Sequence, residues 1–262
     1  MIVDFHVHME PWPFNGKDAS VKAVLANLDE AGADMAVVFP LARWDTERTR
    51  QANDYVAEQC SKWSKKLVPF CSVNPADGEA AVEELERCAL ELKVRGLKLH
   101  PSAQGFDPLD DTVLQLVQRV GELGLIVLID SYNPFDGSIV GRLLRLALAC
   151  PETIIVLAHA FGTQMDELLA LHLLERHGVG SNVYCDLSAT LNLYEGSPRA
   201  AHLAWLVNKV GPHRFLLGSD YPEWRSREAL RALSALGLGP SETAVAGTNA
   251  LGLLKDSPPP GQ

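Results

Sequence analysis

The sequence opens with Ile2-Val3-Asp4-Phe5-His6-Val7-His8, in which polar and apolar side chains alternate from Val3 onward. A period of two is typical of a β-strand, so Asp4, His6 and His8 are expected on one face. Residues two apart along a strand are separated by about 6.6–7 Å, which lets two imidazoles converge on one cation. Imidazole nitrogen is a common ligand of zinc and related ions. Two polar residues at an ordinary strand end would explain the pair equally well.

Seven further apolar runs predict strands, and amphipathic stretches between them predict helices. The predicted strands are residues 2–8, 35–39, 67–73, 96–100, 126–130, 154–159, 183–186 and 215–218. The predicted helices are residues 19–30, 46–62, 79–92, 110–123, 138–148, 162–176, 198–210, 226–236 and 242–254. Eight strand-then-helix units in about 255 residues predict a (β/α)8 TIM barrel. An open doubly wound sheet is the alternative, but no strand is followed by Gly-x-Gly-x-x-Gly.

Polar residues collect where the predicted strands end, which is where (β/α)8 barrels hold their chemistry. These residues are His6, His8, Arg43, Asn74, Lys98, His100, Asp130, His159, Asp186, Ser188 and Asp220. The predicted functional site therefore lies at the carboxyl ends of the predicted strands.

The residues His6, His8, His159 and Asp220 form a plausible set around one divalent metal ion. Three or four nitrogen and oxygen ligands with an open position are typical of a catalytic metal site. Asp220 is the candidate ligand and proton acceptor, and His159 the candidate group that holds or protonates the substrate. A turn-capping Asp220 and a buried structural His159 are the alternatives.

Four other polar residues have open assignments. Lys98 and His100 share one strand face and are candidates for contacting a substrate carboxylate, and His100 is also a candidate ligand. Asp130 begins a turn-rich string, so a turn role competes with metal ligation. Asp4 either orients a ligand histidine or is a buried carboxylate paired locally.

Composition limits the kinds of partner. The chain has 262 residues, 47% of them apolar, with a formal net charge of −10 and a pI of about 5.3. The excess of acidic residues argues against a nucleic acid, because phosphate binding is driven by lysine and arginine. A small-molecule substrate is expected, and a homo-oligomer stays open.

The remaining expectations concern location and boundaries. The five cysteines are scattered, odd in number and contain no Cys-x-x-Cys pair, which favours reduced thiols in a cytoplasmic protein. No signal peptide and no membrane span are expected. Residues 1–255 are predicted to form a single domain, followed by a flexible tail at 256–262.

Four segments in this order resemble the amidohydrolase superfamily. They are Asp4-Phe5-His6-Val7-His8, Gly96-Leu97-Lys98-Leu99-His100-Pro101, Leu157-Ala158-His159-Ala160 and Gly218-Ser219-Asp220-Tyr221-Pro222. The most similar branch is amidohydrolase-2, which includes aminocarboxymuconate-semialdehyde decarboxylase and related lactonases and hydratases. The resemblance extends from residue 2 to about residue 254.

The resemblance implies a metal-dependent barrel, often with one zinc-like ion. His6, His8 and Asp220 would be ligands, and His159 would act on water or substrate. Family members commonly place a ligand histidine where this chain has Asp130, and a carboxylate there favours harder ions such as manganese more than a histidine would. Zinc is the expected ion, and manganese is the alternative. In two-metal members a carboxylated lysine at the position of Lys98 bridges the ions.

Hydrolysis of a C–N or C–O bond in a small carboxylated molecule is the first expectation, and non-oxidative decarboxylation is the close alternative. A deoxyribonuclease resembling the TatD group and a non-catalytic ligand-binding barrel are further alternatives. Arg43, Trp44, Trp224 and Arg225 follow strands and are candidate substrate contacts in loops.

Overall fold

The protein is a (β/α)8 TIM barrel, as the sequence predicts. The computed structural model describes residues 1–41 and 45–256. Within these ranges eight parallel strands form one sheet in sequential order. They are β1 (Val3–His8), β2 (Met35–Phe39), β3 (Leu67–Ser72), β4 (Gly96–Leu99), β5 (Ile126–Asp130), β6 (Ile154–Ala158), β7 (Val183–Asp186) and β8 (Phe215–Leu216). Residues 257–262 of the predicted tail lie outside the described residues. Arg43 and Trp44 also lie outside them.

Helices connect the strands and surround them. They are α1 (Val21–Ala31), α2 (Thr46–Lys62), α3 (Glu79–Leu90), α4 (Pro101–Gln104), α5 (Asp111–Glu122), α6 (Ile139–Ala149), α7 (Leu168–Arg176), α8 (Thr190–Tyr194), α9 (Arg199–Val210), α10 (Ser226–Ala235), α11 (Ser241–Thr243) and α12 (Asn249–Asp256). A π-helical turn, Ala244–Thr248, joins the last two. No helix in the described ranges is long and apolar enough to cross a membrane.

The barrel closes between its first and last strands through backbone contacts. Phe5 N–H donates to Leu217 O at 2.8 Å, and Asp220 N–H donates to His6 O at 2.9 Å. The strand β8 is shorter than predicted, because Leu217 N–H turns away to donate to Val245 O in the π-helical turn. The closing segment therefore continues past β8 and carries Asp220 to the strand end that holds His6.

A β-bulge interrupts β1 and changes the predicted alternation. The pairing with β2 shifts register between Asp4 and Val7. Phe5 packs inside the barrel, whereas Val7 packs in the outer layer. Asp4 accepts hydrogen bonds from Ser219 N–H and from the Ser226 hydroxyl at the start of α10. The prediction that Asp4 shares a face with His6 is therefore wrong, because the bulge re-aims the strand beyond Asp4.

Two apolar layers hold the barrel together. The interior is filled by side chains such as Phe5, Phe39, Phe70 and Leu128. A larger outer layer lies between the strands and the helices. The amino-terminal and middle parts of the barrel interior are thus filled with apolar side chains, and the polar residues of the predicted site lie at the carboxyl ends of the strands.

Candidate active site

The carboxyl ends of the strands bring the predicted polar residues into one site. Two groups can be separated by their contacts. The β1/β8 cluster consists of His6, His8 and Asp220, and the β4–β6 cluster consists of His100, Asp130 and His159. Lys98, which is 1% exposed, lies beside the first cluster.

In the β1/β8 cluster two imidazoles converge on one carboxylate oxygen. Asp220 Oδ1 lies 3.3 Å from His6 Nε2 and 3.5 Å from His8 Nε2. Candidate ligand atoms of these three residues all lie within 4.8 Å of one another. These separations exceed those of strong hydrogen bonds and match the edges of a coordination shell. Two imidazole nitrogens and a carboxylate are a donor set that fits zinc or manganese.

The second ring nitrogen of His6 fixes which atom faces the cluster. His6 Nδ1 lies 2.9 Å from Asp186 Oδ2, so it donates its proton to that carboxylate. Burial, helped by the nearby Lys98 ammonium, lowers the pKa of His6 to about 4. The ring is therefore neutral and leaves a lone pair on Nε2, which is the arrangement of a metal ligand held by an outer carboxylate.

Lys98 approaches the same nitrogen. Its Nζ lies 3.2 Å from His6 Nε2. Burial lowers the pKa of Lys98, against the opposite effect of Asp130, Asp186 and Asp220. The amine is thus placed next to any group bound at the β1/β8 cluster.

In the β4–β6 cluster the carboxylate makes one short hydrogen bond, to His159, and a longer contact with His100. Asp130 Oδ2 lies 2.8 Å from His159 Nε2 and 3.4 Å from His100 Nε2. The other nitrogen of His159, Nδ1, lies 3.2 Å from the carbonyl oxygen of Ser188. The Ser188 hydroxyl lies 3.0 Å from the same nitrogen and donates its own proton to Asp186, so both ring nitrogens of His159 face acceptors. This arrangement favours the imidazolium form of the ring.

The electrostatics of His159 agree with this hydrogen-bond assignment. Burial by itself would lower the pKa of His159, but the Asp130 carboxylate outweighs it and raises the pKa to about 9. Burial opposes ionisation of Asp130 as well, yet His100 and His159 hold the pKa of that carboxyl well below its usual range. His159 is consequently a proton donor at neutral pH.

The backbone around His159 is strained. Residues His159, Ala160 and Phe161 have φ angles of 65°, 41° and 67°, which non-glycine residues rarely adopt. Side chains from neighbouring strand ends hold this segment. Asp186 Oδ1 accepts from His159 N–H at 3.1 Å, and the Thr190 hydroxyl donates to His159 O at 2.5 Å. The predicted strand therefore ends at Ala158, and the predicted helix from 162 begins only at Leu168.

Two adjoining cavities open over the clusters. The inner cavity, about 240 Å³, is lined by His6, His8 and Lys98 among others. The outer cavity, about 320 Å³, has more apolar walls that include Tyr132, Leu193 and Trp224. Both cavities share four residues, namely His100, Asp130, His159 and Asp220. The shared residues lie where a ligand would pass from one cavity to the other.

The loop candidates differ in outcome. Trp224 lines the outer cavity, as the sequence predicts for a substrate contact. Arg225 does not line it, and its guanidinium pairs with Glu30 Oε2 at 2.7 Å, so its role as a substrate contact stays a prediction. The sequence assigned no role to Tyr132 or Thr190, which line the outer cavity. Asp186 and Ser188, the partners of His6 and His159, could be recognised in the sequence because they are polar residues at the end of a predicted strand.

The chain is similar in sequence to known proteins. The sequence model of the Amidohydrolase family (Amidohydro_2) matches residues 3–254. The chain is 24% identical over 202 residues to a 2-amino-3-carboxymuconate-6-semialdehyde decarboxylase of Dictyostelium discoideum, covering 65% of this chain and 55% of that protein. It is 30% identical over 101 residues to the gamma-resorcylate decarboxylase of Rhizobium sp. (strain MTP-10005), covering 38% of this chain and 27% of that protein. The chain thus spans about half the length, or less, of these curated relatives.

Solved structures give a likeness of fold. A dihydroxybenzoic acid decarboxylase from Polaromonas sp. JS666, determined with bound manganese and the inhibitor 2-nitroresorcinol, superposes with a TM-score of 0.72. The sequences are 17% identical, and the match covers 97% of this chain and 96% of that chain. The barrel architecture is therefore shared over its whole length.

Proposed function

Because this chain belongs to the amidohydrolase-2 family, we propose that it is a metal-dependent, non-oxidative decarboxylase of a small carboxylated substrate. The sequence placed hydrolysis first and decarboxylation second. Both curated relatives are decarboxylases, which supports the second reaction over the first. The observation that carries the proposal is the imidazolium of His159, a proton donor at the junction of the two cavities.

The metal would be held by His6, His8 and Asp220. When bound, a divalent ion polarises substrate oxygens and stabilises negative charge that develops on the substrate. Manganese is bound in the Polaromonas decarboxylase, and zinc is the ion that the sequence favours. Either ion fits two imidazole nitrogens and a carboxylate.

Charge balance supports an anionic substrate. At the two clusters and their direct partners, Asp130, Asp186 and Asp220 face the cations Lys98 and His159, which leaves one net negative charge. Glu223 also lines the inner cavity, but its charge is paired with Lys17. A divalent ion would turn this net charge into one net positive charge. A single substrate carboxylate would then neutralise the site, because buried charges are stable when they are compensated.

Decarboxylation breaks the bond between the substrate carbon and its carboxylate and leaves the electron pair on that carbon. Carbon dioxide departs, and the carbon must receive one proton. We assign this proton to His159 Nε2, where Asp130 holds it. Lys98 and His100 would contact substrate oxygens, and Asp220 would help hold the metal. Solvent then returns the proton to His159, so the cycle consumes one proton for each carbon dioxide released.

The outer cavity would hold the body of the substrate. Tyr132, Leu193 and Trp224 provide apolar contact area, and volumes of a few hundred Å³ are usual for small-molecule sites. Such walls suit a flat unsaturated or aromatic body whose carboxylate points toward the inner cavity.

A panel of aromatic and unsaturated carboxylic acids tests the proposal. The metal-loaded protein is incubated with each acid in D2O, and carbon dioxide release is measured beside the product's mass and NMR spectrum. We expect one deuterium on the carbon that lost its carboxylate, and no turnover with His8→Ala. Hydrolysis of lactones or amides in parallel assays, without carbon dioxide from any acid, would favour the hydrolase reading instead.

A nuclease is disfavoured by the lining of the site. Among the described residues around the two cavities, Lys98 is the only lysine or arginine, and it is buried. A phosphodiester backbone would find few cations to replace its counterions.

A further inference from the structure

We propose that Asp130 is not a metal ligand but a positioning residue that holds His159, and faces His100, through the Nε2 atoms of the two rings. The sequence predicted ligation by Asp130, so the two assignments compete directly. The inference deepens the proposed function and rests on it for the presence of a metal, but its test does not depend on turnover.

Both carboxylate oxygens of Asp130 are already engaged. Oδ1 accepts from the backbone N–H of Tyr132 at 3.0 Å. Oδ2 lies 2.8 Å from His159 Nε2 and 3.4 Å from His100 Nε2. A short hydrogen bond to a carboxylate is among the stronger polar contacts in proteins. To ligate a metal, Asp130 would have to give up this bond and leave the buried Nε2 of His159 without its partner.

Asp220 provides the contrast. Its Oδ1 faces two Nε2 atoms at 3.3 and 3.5 Å, and with His6 and His8 it forms a group whose candidate ligand atoms lie within 4.8 Å of one another. Two such groups were found in the described parts of the chain, and Asp130 belongs to neither. The same residue type therefore faces a cation site in one case and a hydrogen-bonded imidazole in the other.

The backbone makes the Asp130–His159 pair rigid. Asp130 is the last residue of β5 and pairs in register with Ala158, the residue before His159. The Ser188 carbonyl fixes the opposite side of the His159 ring. His159 therefore cannot turn without losing both hydrogen bonds, which is how a proton donor keeps one orientation through the reaction.

The matched variants Asp130→Asn and Asp220→Asn test ligation, since each replaces a carboxylate by an amide of the same shape. Each protein is loaded with zinc or cobalt(II), dialysed and measured by elemental mass spectrometry. We expect Asp130→Asn to keep one equivalent of zinc with an affinity within about tenfold of the parent, and Asp220→Asn to lose most of it. The visible spectrum of cobalt(II) should be unchanged in Asp130→Asn. Loss of the metal or an altered cobalt spectrum in that variant would overturn the inference.

The unaltered protein tests positioning, even if a variant does not fold. A proton in a short imidazolium–carboxylate hydrogen bond resonates far downfield in the NMR spectrum, and His159→Gln identifies the signal. We expect the signal in both the metal-free and the zinc-loaded protein, because Asp130 keeps its bond to His159. Its disappearance on zinc binding means that Asp130 has moved to the metal, and the inference fails. Absence of decarboxylation with the signal intact would reject only the proposed function.

Discussion

The β1/β8 cluster and the β4–β6 cluster each contain two histidines and one aspartate, yet their hydrogen bonding is opposite. In the first, Asp220 stands 3.3 and 3.5 Å from two imidazole nitrogens. In the second, Asp130 lies 2.8 Å from His159. Burial lowers the pKa of His6 to about 4, whereas Asp130 overcomes burial and raises the pKa of His159 to about 9. One cluster therefore offers lone pairs, and the other holds a proton.

The outer partners explain the difference. The Nδ1 proton of His6 is donated to Asp186, which leaves Nε2 as an acceptor. The Nδ1 of His159 faces a carbonyl oxygen, and its Nε2 faces the Asp130 carboxylate, so both nitrogens are placed to donate. Residue types alone therefore cannot distinguish a histidine that ligates a metal from one that donates a proton. The distinction depends on the partner of Nδ1, the ring nitrogen that points away from the cluster.

The largest expected effect comes from removing one ligand of the β1/β8 cluster. His8→Ala should lose the metal and all measurable turnover, since the metal contributes several kcal/mol of charge stabilisation. Elemental mass spectrometry and carbon dioxide release measure both outcomes. The NMR signal of His159 should persist, which would show that the two clusters are independent.

Replacing the proton donor, His159, should impair the function of the β4–β6 cluster and leave the β1/β8 cluster intact. His159→Gln is expected to lower kcat by about 10²–10⁴-fold, the usual contribution of a general acid, while one equivalent of metal is retained. Steady-state kinetics and metal content are measured on the same preparation. Loss of metal in this variant would mean that His159 is a ligand and that the clusters share one role.

The outer cavity can be altered at Tyr132, whose side chain lies against Gly162. A methyl group at Gly162 would lie 2.5 Å from Tyr132 Cδ2, and Gly162 has a φ of +55°. Gly162→Ala should therefore displace the tyrosine ring and raise KM by about tenfold, as a changed apolar contact typically does, with a smaller effect on kcat. Gly252→Ala is the control, because nothing lies within 4 Å of its added methyl group. If the two variants have equal KM values, Tyr132 does not contact the substrate.

The smallest expected effect is a shift in pH dependence. The acid form of His159 is the active form, so kcat should fall as the pH rises through its pKa. In Asp130→Asn the carboxylate that raises this pKa is absent, and the decline should begin at lower pH, toward the ordinary histidine value near 6.5. A pH profile of kcat for parent and variant measures the shift. A decline at the same pH in both proteins would contradict the coupling of Asp130 to His159.

Much of the fold was predictable because local patterns dictate it. Apolar runs between the predicted helices indicated all eight strands. The polar residues at the ends of these strands indicated most residues of the candidate site. The short helix α8, the strained turn at His159 and the bulge in β1 were missed. Each depends on tertiary contacts, such as the Thr190 hydroxyl on His159 O, that leave no periodic signal.

The sequence by itself determined a barrel with histidines and aspartates at the carboxyl ends of its strands, since burial of apolar faces forces polar residues to those ends. Tertiary structure alone decided which nitrogen of each histidine is free and which carboxylate is engaged. His6 meets Asp186 across 180 residues, and Asp4 meets Ser226 across 222. Hydrogen bonds over such separations follow from barrel closure, so the roles of the residues were set only when the strands came together.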